Sequence, residues 1–253
     1  MEYRDPFATA QYGAQRSAAA YDAGLRAYML KIYNYMASAL ALTGIVAMVF
    51  ANISVTVDPQ TGSQALTSVG HAIFASPLKY VIMFAPLGLV LWLGMGIDRL
   101  STSAAQGIFW VYSALMGLSL SSIFLLYTGE SIARTFFITA GTFGAMSIYG
   151  YTTKRDLTGF GSFLIMGLIG LILASIVNLF MQSSALAFAT SVIGVLIFVG
   201  LVAYDTQKLK AMYYQVAGST EMMAKISIMG ALNLYLDFIN IFMYLLRFMG
   251  DRK

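Results

Sequence analysis

No cysteine occurs among the 253 residues, which excludes disulfides, thiolate metal sites and a cysteine nucleophile together. There is one histidine, His71, so multi-histidine metal sites are excluded and a catalytic triad is poorly provided for. Charge is scarce too: Asp, Glu, Lys and Arg make up 10% of the chain, against about 25% in a typical soluble domain. So few charges cannot cover a globular surface. What abounds is apolar, at 59% of residues with a mean hydropathy of +0.75. These bounds describe a multi-span, all-α integral membrane protein. The 16 Met and 17 Phe are residues for packing and lipid contact first. The net charge of +4 is a signal of topology, not of nucleic-acid binding.

Charge-free intervals mark the spans. Residues 1–31 read as a polar cytoplasmic tail, largely flexible and helical from Tyr21; no apolar core with a small-residue cleavage site marks a secretory signal there. The transmembrane domain is expected over 32–250. Its first span runs from Ile32 to Ile53, the second from Tyr80 to Ile97, the third from Ala104 to Tyr127, and the fourth lies between Arg134 and Lys154. From Leu157 to Tyr204 there are 48 residues without a charge, too many for one crossing of about 20. The polar break Met181-Gln-Ser-Ser184 makes this a hairpin of spans five (Phe160–Phe180) and six (Ala185–Tyr204). A seventh apolar stretch ends near Phe248.

Basic residues set the orientation. With the N-terminus inside, the tail, Arg99, Lys154, Arg155, Lys208, Lys210 and Lys225 are cytoplasmic, and only Lys79 and Arg134 lie in outer loops. Arg247, Arg252 and Lys253 oppose this rule if the seventh stretch crosses fully, yet its length favours a full crossing. Small-residue pairs suited to close helix packing are Gly117 with Ser121, Gly141 with Ala145, and Gly167 with Gly170.

The seventh stretch carries one carboxylate in an apolar run, Asp237. An unpaired buried charge costs several kcal/mol or more, so an ionisable group inside a span points to function. Asn233, Asp237, Asn240 and Tyr244 share one face of that helix, and a polar face turns toward protein or water. The helix is therefore expected to be surrounded by the others, with Asn34 and Asn178 contributing to the same interior. Asp205 closes the sixth span, and Asp98-Arg99 follows the second, as a solvated turn or with Arg99 reaching inward as a counter-ion. Two carboxylates close together in a medium of low dielectric cannot both ionise cheaply. They form a site for which protons and a hard cation such as Ca²⁺ compete.

Asn233-Leu-Tyr-Leu-Asp-Phe-Ile-Asn-Ile-Phe-Met-Tyr-Leu-Leu-Arg247 closely resembles the C-terminal motif of the Bax inhibitor-1 (transmembrane BAX inhibitor motif) family. Ala203-Tyr-Asp-Thr-Gln207 resembles its sixth-helix motif, and Tyr33-Asn-Tyr-Met-Ala-Ser-Ala-Leu-Ala-Leu-Thr-Gly44 its first helix. The likeness covers most of residues 25–250, and the long loop after span one suggests the bacterial inner-membrane branch. The resemblance implies a seven-helix bundle with the seventh helix central, acting as a pH-dependent Ca²⁺ leak. It implies that Asp205 and Asp237 are the pH sensor and gate, with calcium as permeant or bound ion. It also implies a latch from an arginine after helix two to the helix-six aspartate, for which Arg99 is the nearest match. No resident cofactor is expected.

Two other readings remain at this point. The chain resembles relatives that bind a membrane-embedded AAA protease, so it is read alternatively as a modulator of a quality-control protease or stress pathway, acting through its tail. The same acid pair would also serve a proton-coupled transporter. An enzyme is not expected: His71 lies in a loop, and metalloprotease spacing is absent.

Overall fold

The computed structural model describes residues 6–57, 64–216 and 218–253, with side chains from residue 22 onward except at 57 and 64. It is almost wholly helical. Helix α1 spans Pro6–Ser54, followed by the strands β1 (Val55–Val57) and β2 (Gln64–Leu66). A short helix α2 (Ser68–Gly70) and a π-helical turn, His71–Ala75, lead to α3 (Leu78–Gly96). Then come α4 (Thr102–Leu126), α5 (Gly129–Thr152), α6 (Thr158–Met181), α7 (Ser184–Val216) and α8 (Thr220–Met249).

Six of these helices are long and apolar enough to cross a membrane: α1, α3, α4, α6, α7 and α8. The fourth expected span corresponds to α5. Its 24 residues suffice for a crossing of about 20, but it is less apolar than the six. Its buried face carries Ser131, Thr135, Thr139 and Ser147, which face protein.

The tail departs from expectation. The helix begins at Pro6, not at Tyr21, and runs unbroken through the boundary drawn at residue 31. Leu25, Tyr28 and Met29 are buried, so the last turns of the supposed tail already belong to the bundle. Residues 1–5 lie outside the described residues, as do 58–63 of the loop after α1. That loop is also more ordered than a plain connection: β1 and β2 form an antiparallel pair with Val55 opposite Leu66.

Helix α8 is the most enclosed of the six, with about two-thirds of its apolar window buried, against about one-tenth for α6. It packs on α7, α1, α5 and α4. Helices α3 and α6 are peripheral, resting chiefly on α4 and α7. Their exposed Phe84, Trp92, Met95, Phe163, Leu179 and Phe180 are surface for lipid. Between α1, α4 and α8, the Thr43 hydroxyl donates to the Ser113 carbonyl at 2.8 Å and meets the Tyr235 hydroxyl at 2.8 Å.

Close approach is achieved by glycine at particular contacts. At Gly117 a β-carbon would stand 2.6 Å from the Thr43 carbonyl oxygen of α1. At Gly150 it would collide with the Ala203 carbonyl of α7. The expected pairs are only partly the ones used. Gly117 is a contact, and a β-carbon at Gly167 would stand 3.2 Å from Ile197, but Gly141 and Gly170 face open space.

Both ends of the bundle are tied by polar contacts. At one end Thr128 N–H donates to the Asp251 carbonyl at 3.0 Å, and Lys253 N–H donates to Leu126 at 3.0 Å. Asp251 N–H donates to Ser131 Oγ, Lys253 Nζ to the Phe124 carbonyl, and Arg134 pairs with Asp251 at 2.8 Å. The chain end thus returns to the α4–α5 turn, so α8 traverses the bundle completely. Arg252 and Lys253 lie at the end opposite Lys154 and Lys225, against the distribution of basic residues elsewhere.

Two outcomes follow for stability in detergent, read by circular dichroism on heating. Gly150→Ala should destabilise by roughly 1–3 kcal/mol through overpacking. Gly141→Ala should be neutral or stabilising by up to about 1 kcal/mol, the helix-propensity gain of alanine. For the chain end, deleting residues 251–253 should accelerate hydrogen exchange at the Thr128 amide. Asp251→Asn alone should change stability by less than about 1 kcal/mol, because that ion pair is exposed.

Candidate proton and cation site

Helices α7 and α8 run antiparallel, and their register sets the site. A β-carbon at Gly230 would meet Leu209, and one at Gly194 would meet Tyr244 at 2.7 Å. Tyr244 also stacks on Phe198 with ring centres 6.0 Å apart. Between these contacts Asp205 of α7 and Asp237 of α8 come together, close enough for each carboxyl group to act on the other. Asp237 is 5% exposed, and its Oδ2 has no partner among the described residues. Asp205 is half-buried, and Lys208, one turn on, is the cation that acts on it. Lys208 itself is exposed, its ammonium 5.9 Å from the centre of the Tyr204 ring.

The remaining expected residues fall in different places. Arg99 is exposed in the turn after α3 and forms no ion pair among the described residues, so the expected latch to Asp205 is not made. The tie at that turn comes instead from Lys225 of α8, which is 8% exposed. Its ammonium donates to the Asp98 carbonyl at 3.4 Å and pairs with Glu221 at 3.0 Å. Asn240 Nδ2 donates to the Leu236 carbonyl of its own helix at 2.8 Å, and Tyr244 packs into α7. Asn233 is half-buried. Asn34 and Asn178 do not join this interior. Asn34 is exposed, and Asn178 Oδ1 accepts from Ser183 N–H at 3.0 Å, closing α6 where Gln182 takes a left-handed conformation (φ 49°).

The sixth-helix motif does more than carry an acid. Gln207 Oε1 accepts from Leu157 N–H at 2.8 Å, and its Nε2 donates to the Arg155 carbonyl at 2.7 Å. Lys210 Nζ donates to the Tyr151 carbonyl at 2.9 Å at the end of α5. Together they clamp the α5–α6 loop to α7. In that loop the exposed Asp156 carboxylate accepts from Thr158 N–H at 2.9 Å, and Thr158 holds it below the usual carboxylate range. No charge pattern in the sequence marks Gln207 for these contacts or Lys225 for its bond to Asp98, because those partners are backbone carbonyls and amides.

Chemically, the pair offers carboxylate oxygens and one unpaired acceptor. No group of three or more His, Cys, Asp or Glu residues gathers among the described residues. Ca²⁺ takes roughly 6–8 oxygen ligands when held permanently. Two carboxylates therefore suit a proton or an ion in passage better than a caged one.

The comparisons with known proteins agree on one family. The family model described as "Inhibitor of apoptosis-promoting Bax1" matches residues 25–253. An uncharacterized protein of Rickettsia prowazekii is 55% identical over 233 residues, covering 92% of this chain and 93% of that protein. An uncharacterized protein of Caulobacter vibrioides is 47% identical, covering 95% and 94%. The inner membrane protein YbhL of Escherichia coli K12 is 49% identical, covering 91% and 94%. With these matches, with helices built to cross a bilayer and with the two aspartates of the motifs in contact, the chain is a membrane protein belonging to the Bax inhibitor-1 family.

Proposed function

We propose that this protein is a pH-sensitive, calcium-permeable leak of the bacterial inner membrane, gated by the Asp205–Asp237 pair. In this reading α5 crosses with the other six helices, giving a seven-helix bundle with α8 at its centre and the N-terminus in the cytoplasm. The observation that carries the reading is the contact between two carboxyl groups beneath the bundle surface, one of them with an oxygen left unpartnered. A purely structural polar contact has no need of two acids. Further support comes from buried hydroxyls without partners among the described residues, at Tyr28, Tyr112, Ser147 and Thr206. They lie on α1, α4, α5 and α7, and so provide oxygens along the interior from several sides.

The gate works by charge. While the pair shares a proton, α7 and α8 are held together and the bundle is closed. As pH rises the proton leaves, two adjacent carboxylates repel, and α7 and α8 separate. The freed oxygens then receive the cation. Such a two-state element, biased by one proton, is what a pH switch requires. The chain serves as a conduit without resident cofactor, and Ca²⁺ is its cargo. Lys225, not Arg99, is the basic residue that ties α8 to the α3–α4 turn in this closed arrangement.

In proteoliposomes loaded with a Ca²⁺ dye, wild-type flux should exceed that of empty vesicles and rise as pH is raised from acid to neutral. Asp237→Asn keeps the shape and holds a hydrogen bond to Asp205 without a titrating proton. It should lower neutral-pH flux several-fold and flatten the pH profile, and Asp205→Asn should act in the same direction. Flux equal to that of empty vesicles would end the channel reading. Saturation with external Ca²⁺, together with counter-movement of protons, would favour a proton-coupled transporter built on the same pair.

One observation favours a second reading. Helix α1 runs unbroken from Pro6 to Ser54, 49 residues, more than twice the length that one crossing of about 20 residues needs. The excess is an arm suited to a partner such as a membrane-bound AAA protease. Deleting residues 1–20 should then abolish capture of that protease and leave Ca²⁺ flux unchanged.

A further inference from the structure

A groove of about 650 Å³ opens on the flank of the bundle between α1 and α5. Its walls are mostly apolar, with Met29, Met36, Leu40 and Phe143 among them, and Phe238 of α8 forms part of its lining. Arg26 and Tyr151 mark one end. Arg26 is exposed and has no ion pair among the described residues. Beside Tyr151 stands Lys210, its ammonium 5.0 Å from the ring centre. The groove wall also holds one buried polar group without a partner: Ser147, 6% exposed, whose hydroxyl bonds to nothing among the described residues.

Dimensions identify the occupant. From Arg26 to Leu40 is 14 residues of helix, or roughly 21 Å at 1.5 Å per residue. Half a bilayer with its headgroup region is about 20–22 Å deep. The wide part of the groove therefore spans one leaflet. Past Leu40 and Phe238 it narrows to a cavity of about 100 Å³. Basic groups stand at the headgroup end, and apolar walls line the acyl depth. The one orphaned donor lies between them, on α5, one turn from Tyr151.

We propose that this groove is a specific site for an anionic phospholipid of the cytoplasmic leaflet. Arg26 receives the phosphate, Lys210 adds to the positive field, and an acyl chain lies between α1 and α5. An ester carbonyl accepts from Ser147 Oγ. The bound chain rests on Phe238, the neighbour in sequence of Asp237, so the lipid braces α1 and α5 against the helix that carries the buried acid. The inference goes beyond the conduction reading and does not depend on it.

The test uses the full chain in mild detergent, delipidated and then offered phosphatidylglycerol or phosphatidylcholine with identical acyl chains. Native mass spectrometry counts the lipids retained. Phosphatidylglycerol should be retained over phosphatidylcholine by about fivefold, the effect of one basic residue on an anionic headgroup. Arg26→Glu should erase that preference, and Arg26→Lys should keep it. Arg26 is exposed, so both variants should melt at the wild-type temperature. Gly144→Phe should abolish retention of both lipids, since Gly144 lines the groove and a β-carbon there meets nothing within 4 Å. Equal retention of phosphatidylglycerol by wild type, Arg26→Glu and Gly144→Phe would overturn the proposal. A dimer that Gly144→Phe disrupts while lipid counts stay unchanged would overturn it too, assigning the groove to a second copy of this chain.

Discussion

A carboxyl group buried in a membrane helix has to be answered by a proton, a partner or an ion. Water cannot reach it, and an uncompensated charge there costs several kcal/mol or more. Asp237 imposes that requirement, and the bundle meets it with a second acid. The choice matters physically. A lysine or arginine would neutralise Asp237 permanently and remove it from pH control. In the proposed gating, Asp205 satisfies it only while one proton remains between them, which ties the α7–α8 contact to the protonation of the site.

The rest of the packing serves that contact. Gly230 and Gly194 let α7 and α8 meet on either side of the pair. Gly150 brings α5 against α7, and Gly117 brings α4 against α1. The two ends are built differently from the middle. Lys225, Gln207 and Lys210 reach backbone groups at one end, while the last three residues join the α4–α5 turn at the other. In the proposed gating, these firm ends let the inner contact change without loss of the bundle.

Much of this was legible in the sequence, for physical reasons. Hydropathy finds apolar helices because lipid demands them, and six of the seven expected spans meet that standard in the structure. The remaining one, the fourth expected span (α5), has its polar residues turned inward, which dilutes the signal. Asp237 stood out because a charge in an apolar run has no inexpensive explanation. Of the two readings of Arg99, the solvated turn is the one found: it is exposed and forms no ion pair among the described residues. Asn34 and Asn178 were polar residues near the ends of expected spans, and their real surroundings are the exposed face of mid-α1 and a helix cap. The ties of Lys225 to Asp98 and of Gln207 to the α5–α6 loop were invisible because those partners are backbone atoms, which carry no sequence pattern. The start of α1 at Pro6 was hidden by the polar, alanine-rich composition of the segment, which resembles that of a flexible tail.

The shared proton is tested most directly by infrared spectroscopy of the protein in lipid bilayers, following the carboxylic C=O stretch across pH. Wild type should show a protonated-carboxyl band at mildly acidic pH, where solvated carboxylates are ionised, that fades as pH is raised to neutral. Asp237→Asn removes the more deeply buried acid and should lose that band at mildly acidic pH, whereas Asp205→Asn leaves Asp237 buried and should retain it. Absence of the band in wild type at mildly acidic pH, or its unchanged persistence in Asp237→Asn, would contradict a proton held between the two aspartates.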